Sequence, residues 1–321
     1  MPATKEQLAT LTALSDKVIA GQELKAQERE FLLNFPDVKA LMAAAAAIRA
    51  HCALQKLDCC AVLSVKSGRC SEDCHWCAQS AHYHTGAEIY PLLDKVQCLK
   101  VAQEAERRGI KRFSLVSAGR KPKAQDFARL VDIVRLLKAQ TTLYLCASLG
   151  LVTAAQLQEL KQAGLQCVHC NLETAPSFFA KVCTTHTQED KLQVIKAARQ
   201  VGLDVCVGGI IGLGESRAQR MELALTLKAL GITSVPLNIL HPIAGTPLGN
   251  RPHLDEAEVL RTIALWRFIL PTAYIRLAGG QALLSPATLQ QAFDSGLNAA
   301  IVGNLLTTPG AQYVAAKFAL V

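Results

Sequence analysis

Arg112-Phe-Ser-Leu-Val-Ser117, the amphipathic run Ala124–Ala139 and Thr142-Leu-Tyr-Leu-Cys-Ala-Ser148 read as strand, helix and strand in immediate succession. Two such strands joined by a helix form a parallel βαβ unit, because only a crossover connection returns the chain to the same sheet edge. The pattern repeats outward in both directions. Further strands are expected at Cys59–Lys66, Gln166–Leu172, Asp204–Ile210, Ser234–Leu240, Tyr274–Ala278 and Asn298–Val302, and further helices at Asp94–Arg108, Ala154–Ala163, Glu189–Val201, Arg217–Leu230 and Asp255–Leu270. Gly109, Gly164, Gly202 and Gly231 each follow a helical run, where a C-terminal cap calls for positive φ. Eight alternations predict an α/β fold of the (β/α)8 TIM-type barrel class, with its chemistry at the C-terminal ends of the strands. A doubly wound open sheet is the alternative.

The 321 residues fit two domains or one barrel with extensions. We expect residues 1–58 to form a helical extension packed on the outside and 59–321 the barrel. Half the residues are apolar and 19% are charged, which excludes a disordered chain, a fibre and a small disulfide-stapled module. The net charge of +8 comes with only local basic clusters and no interleaved aromatic residues, a poor fit to nucleic acid and an equally good one to small anions. Charged residues through Met1–Gly21 argue against a signal peptide, and the most apolar stretch, Leu41–Ile48, is too short for a membrane span. A cytoplasmic protein is expected. Its twelve cysteines then point to metal or redox chemistry rather than to disulfides.

The segment Ser64-Val-Lys-Ser-Gly-Arg-Cys70-Ser-Glu-Asp-Cys74-His-Trp-Cys77-Ala-Gln-Ser80 follows the first strand and so occupies the first βα loop. Three thiolates at this spacing can converge on one metal centre. A closed zinc site needs four ligands. An iron–sulfur cubane normally takes four thiolates as well, so three leave one iron open to a substrate.

The C-x3-C-x2-C spacing with Trp76 before the last cysteine resembles the radical S-adenosylmethionine (SAM) enzymes. The wider run through His84-Thr-Gly86 resembles the biotin synthase family, as do Cys206-Val-Gly-Gly-Ile-Ile-Gly-Leu-Gly-Glu215, Ser234-Val-Pro-Leu-Asn238, Gly245-Thr-Pro-Leu248 and Leu305-Leu-Thr-Thr-Pro309. The resemblance spans roughly residues 59–309. It implies that Cys70, Cys74 and Cys77 hold a [4Fe-4S] cluster whose open iron chelates SAM, and that reductive cleavage yields methionine and a 5′-deoxyadenosyl radical. It places Trp76 against the adenine, Asn171 and Glu173 beside SAM, and Gly209 and Ile210 in a glycine-rich run that approaches the cofactor. Asn171 and Asn238 fall near the substrate, dethiobiotin, which would be converted to biotin by sulfur insertion. A flavodoxin- or ferredoxin-type electron donor and a homodimer are further implications.

The family also carries an auxiliary cluster inside the barrel, usually on three cysteines and an arginine. Cys146, Cys206 and Arg276 match three of those positions, while the other falls at Ser114, which has no thiolate. Cys183, in the loop after the fourth strand, resembles the cysteine of a second class with a larger auxiliary cluster. The resemblance therefore implies Cys146, Cys183 and Cys206 with Arg276 nearby, as a [2Fe-2S] cluster or a larger species.

Strand parity adds an independent expectation. If Asn171 points inward, so do Cys167, His169 and Glu173, while Cys170 points to the helices. Cys206 shares a face with Gly208 and Ile210. Cys52, Cys59, Cys60, Cys98 and Cys170 are assigned to helices or outward strand positions, and Cys167 is ambiguous. Arg276, in an otherwise apolar strand, requires an anionic partner. Two other readings remain open here: a radical SAM core with another product, and a zinc- or iron-binding interaction protein without turnover.

Overall fold

The computed structural model describes residues 2–54 and 56–302. The motif Leu305–Pro309 lies outside them. Three helices come first: α1 (Lys5–Ile19), α2 (Ala26–Leu33) and α3 (Val38–Cys52). Then follow β1 (Asp58–Lys66), α4 (Lys95–Arg107), β2 (Arg112–Ser117), α5 (Ala124–Gln140), β3 (Tyr144–Ser148), α6 (Ala154–Gln162) and β4 (Cys167–His169). The chain continues through α7 (Pro176–Phe179), α8 (Gln188–Gln200), β5 (Asp204–Cys206), β6 (Gly209–Ile211), α9 (Arg217–Ala229), β7 (Ser234–Ile239), α10 (Glu256–Ile269), β8 (Tyr274–Leu277), α11 (Pro286–Ser295) and β9 (Ala299–Val302).

All the strand pairings are parallel, in the order β5-β4-β3-β2-β1-β9-β8-β7-β6. The two ends of this order are β5 and β6, one extended run interrupted at Val207-Gly208. Its first half pairs with β4 and its second with β7, and Val207 N–H donates to Ser234 O at 3.0 Å while Leu172 N–H donates to Gly208 O at 2.9 Å. Eight strand runs thus curl into a barrel, and the open-sheet alternative falls. The single fifth strand expected from the sequence is two short pieces because Gly208 and Gly209 sit where neighbouring backbone crowds in. A Cβ on Gly208 would stand 1.9 Å from Pro236 O, and one on Gly209 would stand 2.5 Å from Glu173 O.

The four glycines expected as helix caps all have positive φ, from 62° at Gly231 to 111° at Gly164. Side-chain caps start the helices: Thr187 accepts from Asp190 N–H ahead of α8, and Ser216 accepts from Gln219 N–H ahead of α9. The helical extension packs chiefly through α3 on α10, which explains why every residue of α10 from Val259 to Ile269 is buried. Arg261 donates to Phe35 O at 2.5 Å across that contact. Among the described residues no helix is long and apolar enough to cross a membrane.

Candidate active site

The loop after β1 is tied down by its own backbone. Cys70 N–H donates to Gln79 O at 2.8 Å, Ala81 N–H to Cys70 O at 2.7 Å, and Cys77 N–H to Cys74 O at 3.0 Å. It is also stitched to the loop after β4: His75 N–H donates to Val182 O at 2.9 Å. The Asp73 carboxylate accepts from Thr184 N–H at 2.9 Å, Thr185 N–H at 3.1 Å and both threonine hydroxyls. Burial alone would raise the Asp73 carboxyl, but these hydrogen bonds prevail and hold it well below the usual carboxylate range.

Cys70, Cys74 and Cys77 are all partly exposed at the mouth of the barrel, and each lies close enough to another for their charges to interact. Burial pushes the Cys77 thiol up to about 11. Among the described residues, the group whose donor atoms all lie within 4.8 Å of one another is Cys74, Cys183 and His186, not the three loop thiols. A single-ion shell built on the loop alone is therefore not the arrangement present. Three spread thiols on one loop, Cys77 among them lining the cavity, suit a multi-iron cluster, which binds through separate irons and expels the thiol protons on assembly.

Below the loop lies a cavity of about 320 Å³ inside the barrel. Trp76 and Ile210 belong to one apolar cluster at its upper end, with Phe178, Leu213 and Leu240. Asn171 and Glu173 line the cavity, and Asn171 Oδ1 accepts from Gly208 N–H at 2.9 Å. Glu173 has φ of 68°, pairs with Lys191 at 3.3 Å, and its carbonyl accepts from Ile210 N–H at 2.6 Å. Asn238 also lines the cavity, but its amide bridges strand ends: Nδ2 donates to Gly209 O at 3.1 Å and Oδ1 accepts from Gly279 N–H at 2.8 Å. Gly209 approaches Glu173 through a parallel bridge.

Deeper in the barrel, the cavity is lined by Cys146, Cys206 and Arg276, together with Cys167, His169 and Ser114. Cys170 turns the other way, its sulfur 3.8 Å from Lys191 O on α8. Burial, reinforced by Lys191 and Arg276, lowers His169 to about 4, so the ring is neutral. The anion that Arg276 requires is Asp58. Arg276 donates to Asp58 Oδ2 at 2.5 Å, and Arg112 Nε pairs with the same oxygen at 2.8 Å.

Two expectations need correction. Cys183 does not reach the inner cavity. Its sulfur lies 3.7 Å from Cys74 Sγ and 3.3 Å from His186 Nδ1, because the Asp73–threonine hydrogen bonds hold its loop against the first loop. The hydrogen bond from Cys74, helped by His186, pulls the Cys183 thiol below its ordinary range. Cys60 is not outward: it lines the inner cavity, and its thiol interacts with those of Cys146 and Cys206. Reading the sequence also missed Asp58, Arg112 and the Glu72–His186 pair, 2.7 Å apart and buried beside Cys183.

A parallel barrel whose first loop carries three thiols at C-x3-C-x2-C spacing over a cavity within the barrel fits the radical SAM class of enzymes. The model of the family described as "Radical SAM superfamily" matches residues 64–227, and that of "Biotin and Thiamin Synthesis associated domain" matches 236–318. Among curated proteins, the chain is 43% identical over 303 residues to a biotin synthase of Parabacteroides distasonis, covering 94% of this chain and 93% of the relative. It is 47% identical over 309 residues to one of Desulforudis audaxviator, covering 95% and 94%. Among solved structures, the barrel resembles a methylornithine synthase at TM-score 0.77 and 20% identity, covering 90% of this chain and 85% of that one. It also resembles the FeFe-hydrogenase maturase of Carboxydothermus hydrogenoformans at TM-score 0.76 and 16% identity, covering 97% and 78%. These two likenesses concern the fold alone. The chain belongs to the biotin synthase family.

Proposed function

We propose that this enzyme inserts sulfur into dethiobiotin to form biotin, with Cys70, Cys74 and Cys77 holding the SAM-binding cluster and an auxiliary iron–sulfur cluster lying deeper in the barrel. The observation that supports this most directly is that one cavity is lined both by Cys77 of the loop, with Cys70 and Cys74 close by, and by Cys146 and Cys206 with Arg276 below. When bound, the two clusters and SAM supply one-electron removal of hydrogen from unactivated C–H bonds, and the sulfur that replaces it.

The protein's part is placement. Trp76 and Ile210 offer an apolar face for the adenine, and Glu173 offers a charged acceptor for ribose hydroxyls. Asn171 and Asn238, fixed by backbone partners, present rigid polar edges to the substrate between the two thiol sets. The apolar upper rim, with Phe178, Leu213 and Leu240 behind it, keeps water from that space. Residues 1–58 serve as an outer helical extension to a barrel that starts at 59. A flavodoxin- or ferredoxin-type protein supplies electrons, and the enzyme works as a cytoplasmic homodimer.

The test is anaerobic reconstitution with iron and sulfide, followed by assay with dethiobiotin, SAM and reduced flavodoxin. Biotin and 5′-deoxyadenosine should both form, and replacing any one of Cys70, Cys74 or Cys77 by alanine should abolish both. Deoxyadenosine without biotin would favour another product of the same core chemistry.

A further inference from the structure

Four cysteines of the barrel strands line the inner cavity: Cys60 on β1, Cys146 on β3, Cys167 on β4 and Cys206 on β5. They come from neighbouring or next-neighbouring strands. Cys146 stands directly beside Cys167 in the β3–β4 pairing, Cys206 lies one strand further at His169, and Cys60 sits across β2 in register with Arg112. The sulfurs form one electrostatic group. Cys60 interacts with Cys146 and Cys206, and Cys146 interacts with Cys167, its partner in register. Cys183 takes no part, since its sulfur faces Cys74 and His186.

The floor beneath these thiols carries two guanidinium groups, Arg112 and Arg276, which share the single carboxylate of Asp58. Arg276 is buried, Arg112 is partly exposed over the Tyr144 ring, and their charges interact with the thiols, Arg112 with Cys146 and Arg276 with Cys60 and Cys206. A buried cation is favoured by nearby anions, and a set of metal-bound thiolates and sulfides beside Arg276 is such an anion. Ser114 on β2 lines the same cavity, in register with Val62 on β1 and Cys146 on β3. The place where a thiolate is missing therefore adjoins Cys146, with Cys60 two residues before Val62 on β1 and Cys167 on the far side of Cys146 on β4.

We infer that the auxiliary cluster is held by Cys60, Cys146, Cys167 and Cys206, with Arg112 and Arg276 balancing its charge, and that neither Ser114 nor Cys183 is a ligand. This rests on the reading that an inner cluster exists. Four strand thiolates match the ligand count of ordinary iron–sulfur clusters, so the strands supply a full set without a residue from any loop.

The experiment starts from the full chain with Cys70, Cys74 and Cys77 replaced by alanine, reconstituted anaerobically with iron and sulfide. Bound iron, acid-labile sulfide and visible and Mössbauer spectra are then measured. A residual cluster should remain in this background. Adding Cys60→Ala or Cys167→Ala should remove more than half of the residual iron, and adding Cys183→Ala or the outward Cys170→Ala should leave iron, sulfide and spectra unchanged. Cys60→Ser and Cys167→Ser, which keep side-chain size, should lose iron or shift the spectra while circular dichroism stays as in the parent. Full retention of an unaltered cluster in both the Cys60 and Cys167 variants overturns the assignment, and retention in one of them removes that residue from the set. Absence of any iron in the starting background overturns the inner-cluster reading itself.

Discussion

The sulfur of Cys183 lies 3.7 Å from the sulfur of Cys74, although 109 residues separate them in the chain. With Cys74 committed to a metal, its sulfur can only accept, and the Cys183 thiol becomes the donor. Hydrogen bonds to cluster sulfurs help set reduction potentials. Removing this donor makes the added electron less welcome. In Cys183→Ala the potential of the SAM-binding cluster should therefore fall below that of the parent, as followed by electron paramagnetic resonance during redox titration. Cys183→Ser, which keeps a donor, should lie between the two. An unchanged potential in the alanine variant would leave Cys183 a packing residue.

The sharing of Asp58 by Arg112 and Arg276 leads to a stability prediction. Arg276 is 2% exposed, so its charge has no alternative in water. Asp58→Ala would leave two guanidinium groups facing each other at the bottom of the barrel. Breaking a buried pair by removing one partner costs about 3–5 kcal/mol. Urea denaturation of the full chain should show a loss of that order, and Asp58→Asn should recover only part of it. A loss below about 1 kcal/mol, the worth of an ordinary hydrogen bond, would mean that the carbonyls around Arg276, such as Ala300 O, suffice.

Much of this was legible in the sequence, and the failures have physical causes. Helix ends came within a residue or two because glycine caps and capping boxes are local devices. The first loop was legible because three thiols at fixed spacing have few other uses. Cys60 was misplaced because Cys59 and Cys60 are adjacent and both 7% exposed: a barrel strand is covered on both faces, so no apolar alternation reveals which side is which. Cys183 was misplaced because its loop is positioned by Asp73 and two threonines from a distant part of the chain, contacts that leave no periodicity. The break between β5 and β6 was hidden for a similar reason, since the crowding that demands glycine comes from Pro236 and Glu173.

That crowding can itself be tested. A methyl group at Gly208 would meet the carbonyl of Pro236, which cannot withdraw without disturbing β7. Overpacking costs about 1–3 kcal/mol where side chains can give way, and here the obstacle is backbone. Gly208→Ala should lower stability by about 3 kcal/mol or more in thermal or urea unfolding. Gly86→Ala, where nothing lies within 4 Å, should leave it unchanged. Equal behaviour of the two variants would refute the claim that the barrel closes through this glycine.

The final prediction concerns Glu173, which lines the cavity beside Trp76. A carboxylate accepting hydrogen bonds from ribose hydroxyls is worth about 1.5–3 kcal/mol, or roughly ten- to a hundredfold in affinity. Glu173→Ala should weaken SAM binding by that factor in equilibrium dialysis of the cluster-loaded enzyme, and Glu173→Gln by less. One complication is built into the site. Glu173 also pairs with Lys191 at 3.3 Å, and the Lys191 side chain is only 13% exposed, so the alanine variant leaves a cation without its partner. The double variant Glu173→Ala/Lys191→Met removes that cation. If the carboxylate itself contacts SAM, affinity stays low in the double variant while stability returns. Recovery of affinity would instead show that the orphaned lysine caused the loss, and that Glu173 acts on SAM only by holding Lys191 in place.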